Sequence, residues 1–286
     1  MTLKIRAFFD EATYTVSYLA WDAATRVAAV IDPVLDYDPK SGRTSTGSAQ
    51  SLLSAAKAED LKVEWILETH AHADHLSAGA WLRERTGAKI AIGEHIRTVQ
   101  STFRNLFNIA DQSTDGSDFD RLVRDGDRIA LGNLTIEVIH TPGHTPACVS
   151  YRIADAVFVG DTLFMPDYGT ARVDFPGGDA RTLFRSIRRI LSLPPETRLF
   201  MCHDYKAPGR EAYAWETTVA AEREKNVHVR DGVTEDEFVA MRTARDRALA
   251  MPVLILPSVQ VNIRAGRMPT PEANGVSYLK IPLNAL

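Results

Sequence analysis

The chain has 286 residues, 45% of them hydrophobic and 24% charged, with a formal net charge of -4 and a pI near 6.1. These are the proportions of an ordinary globular protein with enough chain for a sizeable core, and the negative balance gives no bulk attraction to nucleic acid. The longest apolar run, MPVLILP from Met251, is far shorter than the roughly 20 residues a membrane span needs. Charges at Lys4, Arg6, Asp10 and Glu11 interrupt the N-terminus, which fits neither a secretory signal nor a transit peptide. Two cysteines, Cys148 and Cys202, are sparse usage of the kind found in a reducing compartment. The expectation is a cytoplasmic protein with free thiols.

In chain order, the period-2 runs TYTVSYLAWD and RVAAVIDP predict two antiparallel strands joined by a turn at Asp22 to Thr25. DYDPKSGRTSTGSAQ reads as a loop and AQSLLSAAKAED as an amphipathic helix. KVEWILET is a buried strand, LSAGAWLRERTG a helix closed by Gly87, AKIAIGE a strand and HIRTVQSTFRNLF a helix. A polar loop, DQSTDGSDFD, lacks the ligand spacing of an EF-hand. Beyond it, DRIALGNLTIEVIHTPG and CVSYRIADAVFVGD each give two strands about a turn, at Gly132-Asn133 and Ala154-Asp155. DARTLFRSIRRILSLPP is a helix ended by Pro194, its arginines forming a solvated face. RLFMCHD is a strand, helices are expected near 210 to 226 and 234 to 249, and the tail reads as irregular. Sheets in both halves interleaved with helices suggest an αββα sandwich of two mixed β-sheets flanked by helices.

The chemistry is concentrated at the strand ends. His70, His72, Asp74 and His75 alternate along a short segment between a strand and a helix, so their side chains can converge. Imidazole and carboxylate are the ligands that borderline divalent metals prefer. HTPGHTP presents His144 just after a Pro-Gly turn, with His140 as the rival ligand. VFVGDTLF places Asp161 after an apolar strand, where an aspartate is also a common turn or cap residue. RLFMCHDY ends a fourth strand with His203, Asp204 and Tyr205. Neither cysteine stands in a thiol-activating motif, and His95 and His228 read as surface residues.

The string THAHADH resembles the HxHxDH motif of the metallo-β-lactamase superfamily, and TPGHT, VGDTLF and CHDY follow in the order in which that superfamily supplies its other ligands. The resemblance covers nearly the whole chain, read as one domain over 1–286 with a helical and irregular extension from about 210. It implies the αββα sandwich and a metal site at one edge. Gly169 to Ile187, GTARVDFPGGDARTLFRSI, resembles the segment following the metal aspartate in persulfide dioxygenases, the sulfur-dioxygenase or ethylmalonic-encephalopathy-protein-like family. PSVQVNIRAG, from Pro257, resembles that family's C-terminal segment.

Carried over residue by residue, this resemblance implies one Fe(II) held by His70, His144 and Asp161, a 2-His-1-carboxylate triad with open positions. His72, Asp74, His75 and His203 then orient ligands and water or hold a second metal. The implied reaction oxidises glutathione persulfide with O2 to sulfite and glutathione. Arg172 and Tyr205 are the implied catalytic and substrate-binding residues, with Lys206 and Arg264 as further cations for the carboxylates of glutathione. The alternatives are a glyoxalase II-like hydrolase of glutathione thioesters with two Zn(II) ions, and a non-catalytic binding protein stabilised by its metal. The family pattern also suggests a homodimer, with a rhodanese or sulfide-oxidising enzyme as a working partner.

Overall fold

The computed structural model describes residues 2–285. The chain opens with β1 (Leu3–Asp10), β2 (Thr15–Asp22), β3 (Val27–Ile31), β4 (Val34–Asp38) and β5 (Arg43–Ser45), followed by α1 (Gly47–Ala58), β6 (Lys62–Leu67), β7 (Leu76–Ser77) and α2 (Gly79–Thr86). It continues with β8 (Lys89–Gly93), α3 (Ile96–Leu106), β9 (Arg121–Val123), β10 (Arg128–Leu131), β11 (Leu134–His140), β12 (Val149–Ile153) and β13 (Ala156–Phe158). The last part holds α4 (Ala180–Ile190), β14 (Arg198–Phe200), β15 (Glu216–Thr218), α5 (Val219–Lys225), α6 (Glu235–Asp246) and α7 (Ile255–Asn262).

The strands form two six-stranded sheets, ordered β1-β2-β3-β6-β8-β9 and β10-β11-β12-β13-β14-β15, and a small sheet β5-β4-β7. Both large sheets are mixed: β3, β6, β8 and β9 run parallel after an antiparallel start, and β13 pairs parallel with β14 inside an otherwise antiparallel sheet.

Alternation along the strands creates the layers. Tyr18, Ala20, Ile31, Leu67 and Ala91 face Ile136, Val138, Tyr151 and Phe158 of the second sheet. Their neighbours Leu19, Val30, Ile66 and Ile90 face the opposite way, onto Leu52 of α1, Leu82 of α2, Phe103 of α3 and Val259 of α7. On the outer side of the second sheet, Val157 and Leu199 pack with Leu183 and Ile187 of α4 and Phe238 of α6. Each Val, Leu, Ile or Phe among them contributes about 1.5–3 kcal/mol when fully buried, and the result is the predicted sandwich of helices, two sheets and helices. Among the described residues, no helix is long and apolar enough to cross a membrane.

Several elements differ from expectation. The segment 36–50 is not all loop, because Asp36 to Asp38 pairs with Arg43 to Ser45 as a hairpin. The helix expected near 210 to 226 is confined to α5; residues 216–218 pair with β14, and Thr218 caps the helix by accepting from Ala221 N. The tail contains α7, in which the consecutive residues Ser258, Val259, Gln260, Val261 and Asn262 are all buried, so the helix is enclosed on most sides. His228 is buried rather than on the surface, with 8% exposure.

Candidate metal centre

Four strand ends converge on one edge of the sandwich. His70 follows β6, His144 follows β11, Asp161 follows β13 and His203 follows β14. The sheets are tied together at this edge, where Val16 N donates to Cys202 O at 2.7 Å and Thr15 forms an isolated bridge to His203. The turn carrying His144 depends on Gly143, whose φ is +137°; a Cβ there would stand 2.3 Å from the Leu183 backbone. Only glycine lets the loop lie this close to α4.

The five histidines share one design. Each has one ring nitrogen anchored from outside: His70 Nδ1 by Thr69 Oγ1 (3.1 Å), His72 Nε2 by Asp32 Oδ1 (3.0 Å), His75 and His203 Nδ1 by Thr15 Oγ1 (3.3 Å each) and His144 Nδ1 by the Arg172 carbonyl (2.7 Å). The inward atoms His70 Nε2, His72 Nδ1, Asp74 Oδ2, His75 Nε2, Asp161 Oδ1 and His203 Nε2 are buried without hydrogen-bond partners among the described residues. Buried polar atoms are nearly always paired, so this concentration of unpaired nitrogen and oxygen donors fits a divalent transition metal.

The donors fall into two adjoining groups, His70 with His144 and Asp161, and His72 with Asp74, His75 and His203; within each, the donor atoms lie within 4.8 Å of one another. Asp161 joins them: its Oδ2 is 3.9 Å from His70 Nε2 and 3.7 Å from His144 Nε2, and its Oδ1 is 3.3 Å from His203 Nε2. Burial opposes the charge of Asp161, but His203, then His70 and His144, outweigh it and hold the carboxyl well below its ordinary range. Burial likewise opposes protonation of His203, yet Asp74 and Asp161 push its pKa up to about 9.

Asp32 was not anticipated, although it too is an aspartate at the end of a buried strand. It accepts from Thr69 N at 2.7 Å, Thr69 Oγ1 at 2.9 Å and His72, and so shapes the histidine loop from the neighbouring strand.

Beside the centre lies a cavity of about 500 Å³ that reaches Asp74, His144 and Asp161. Phe164, Tyr168, Tyr205 and Leu254 give it an apolar and aromatic wall, and Arg172, Arg242 and Arg245 contribute cations. Arg172 and Arg242 are engaged with Asp174 and Asp246, whereas Arg245 makes no ion pair among the described residues. Tyr205 stacks on His203, with ring centroids 5.6 Å apart.

Two of the expected substrate cations are elsewhere. Arg264 is 8% exposed and paired with Asp111, while Lys206 is exposed and sits over the Tyr213 ring; neither lines the cavity. His140 contacts the Pro146 carbonyl and stacks on His95, outside both donor groups. Cys148 and Cys202 are free and buried, and burial pushes both thiols up.

Residues 11–203 match the model of the metallo-beta-lactamase superfamily. A "probable metallo-hydrolase" of Burkholderia pseudomallei is 60% identical, covering 99% of this chain and 100% of the relative. A β-lactamase hydrolase-like protein of Agrobacterium fabrum is 53% identical, and this chain spans 65% of its length, matched over 99% of the chain. Human mitochondrial persulfide dioxygenase ETHE1 is 29% identical over 95% of this chain and 91% of its own. The crystal structure of ETHE1 from Myxococcus xanthus superposes with a TM-score of 0.74 at 33% identity, covering 92% of this chain and 100% of that one. The layered fold, the converging histidines and aspartates and this match across most of the length agree: the chain belongs to the metallo-β-lactamase superfamily.

Proposed function

We propose that this protein is a glutathione-dependent persulfide dioxygenase, converting glutathione persulfide, O2 and water to glutathione and sulfite at one Fe(II) held by His70, His144 and Asp161. The observation that carries the reading is the role of the segment singled out by its sequence. The Arg172 carbonyl of GTARVDF accepts from His144 Nδ1 at 2.7 Å, Asp174 braces the Arg172 side chain through two oxygens, and the Phe175 ring lies 5.9 Å from His144. The likeness to the two ETHE1 proteins supports it.

When bound, ferrous iron supplies open coordination positions and the electrons for O2 chemistry. The chain's own groups do the rest. His144 keeps its proton on Nδ1, directing the Nε2 lone pair inward. Burial, reinforced by Asp74 and Asp161, pushes the Tyr205 phenol well above its ordinary range, so it remains a donor to bound substrate. Phe164 and Leu254 exclude water from the reacting sulfur, and Arg245 offers a cation to a substrate carboxylate.

The group of His72, Asp74, His75 and His203 favours a second reading, a dinuclear zinc hydrolase of glutathione thioesters. Metal analysis of protein purified without added metal, with O2 uptake on glutathione persulfide, separates the two. One iron per chain with oxygen consumption supports the dioxygenase; two zinc ions and no oxygen consumption overturn it.

A further inference from the structure

We infer that the buried Arg242–Asp246 pair of α6, with His228, is a positioning frame for the ligand His144, acting through the backbone of residues 169–173. The inference rests on His144 as a metal ligand, a role it has in both readings of the centre.

His144 Nδ1 is held by the Arg172 carbonyl, so the aim of the imidazole depends on where that carbonyl points. The segment around it is anchored outward, onto residues beyond 203, the end of the superfamily match. Asn226 Nδ2 donates to Gly169 O at 3.0 Å, and Thr170 N donates to His228 Nδ1 at 3.1 Å. Arg242 donates from its guanidinium to Thr170 O at 3.1 Å, and Val173 N donates to Asp246 Oδ2 at 2.9 Å. Thr170 and Val173 lie on either side of Arg172, so one buried ion pair grips the peptide from both flanks.

Arg242 is 2% exposed and Asp246 7%, and they join through Nε to Oδ1 at 2.9 Å. Burying two charges is costly, and an apolar pair of similar volume often stabilises a fold as well or better. Here each charge also bonds one backbone group of the segment that holds His144, Arg242 the Thr170 carbonyl and Asp246 the Val173 amide. The approach is close enough that at Gly169, with φ +104°, a Cβ would lie 2.2 Å from His228 Nδ1. Groups that orient a ligating histidine from behind set its affinity for metal.

The test titrates the metal-free full chain with Co(II), following its d–d absorption and competition with a chelator. Wild type is compared with His144→Ala, Arg242→Lys, the double variant Arg242→Met/Asp246→Leu and Ile129→Ala. The double variant removes both charges together, so its folding does not rest on an unpaired one; Ile129, buried in β10, is a destabilised control away from the frame. Arg242→Lys and the double variant are expected to bind Co(II) about 10–100-fold more weakly, with a shifted d–d band, while Ile129→Ala binds as wild type does. Frame variants within threefold of wild type with the same spectrum, or an equal loss in Ile129→Ala, overturn the inference while the ligand assignment stands. If His144→Ala binds like wild type, the ligand assignment itself fails and the frame with it.

Discussion

Asn262 of α7 donates from Nδ2 to the carbonyl of His72 at 2.8 Å and, with its other hydrogen, to that of His75 at 2.8 Å. Its Oδ1 accepts from Ser77 N at 2.8 Å. One buried amide thus ties the C-terminal part of the chain to three backbone groups of the histidine loop. Asn262→Ala leaves two carbonyls and an amide unpaired and is expected to cost about 3 kcal/mol. Asn262→Asp should cost more, because a carboxylate cannot donate to either carbonyl. Urea denaturation of the three proteins checks the order.

His144→Ala should abolish stable iron binding, whereas His75→Ala should weaken it by no more than about 100-fold, as for a residue orienting the site from outside. Iron content and affinity are measured on matched preparations. Equal loss in both variants would favour the dinuclear arrangement.

Arg245→Ala is expected to raise KM for glutathione persulfide about tenfold or more with kcat little changed, the signature of a binding contact made equally in ground and transition states. Arg245→Lys should recover part of the loss. Steady-state kinetics at several ionic strengths gives the comparison.

Gly143→Ala should destabilise the protein by about 3 kcal/mol, since the new methyl group meets the Leu183 backbone and the residue would have to keep a positive φ. The strain falls next to His144, so the thermal midpoint and metal retention should drop together. A variant that loses stability and keeps full metal affinity would separate the turn from the ligand.

Glu222 is buried with no charged partner among the described residues, and burial raises its pKa from 4.5 to about 8 even though Asn226 donates to it. The folded chain keeps a proton that the unfolded chain releases, so stability is fully present below pH 4.5 and falls as pH rises towards 8. The loss across this window is on the order of 5 kcal/mol. Glu222→Gln should remove this component, seen as a wild-type minus variant difference in urea midpoints that grows with pH. A difference that stays flat would place the titration elsewhere.

The donor string was legible because it is local: THAHADH needs only a strand end and a turn to bring four side chains together. His144, Asp161 and His203 were legible because each ends a recognisable strand. Asp32 was not, since its contact with His72 arises from the parallel pairing of β3 with β6, which no local pattern shows. Nor was α7, where Pro257 inside an apolar run resembles a helix breaker, although proline fits the first turn of a helix and Pro257 lies there. Arg242 and Arg245 were not legible, because a helix carries the same pattern of charges whether its face meets solvent or a cavity. Arg264 erred the other way, a cation in a family-like segment that the fold spends on Asp111.

The strand ends that supply the donors come from both sheets. In the unfolded chain they are scattered between His70 and His203, and they meet only when the two layers close. An ion seated there joins the layers as a staple, and because it binds the folded chain alone, its concentration enters the folding equilibrium directly. Chelation would therefore leave clustered imidazoles and carboxylates unpaired at the seam between the sheets. For this protein, resistance to heat and to proteases should follow free metal as closely as it follows sequence.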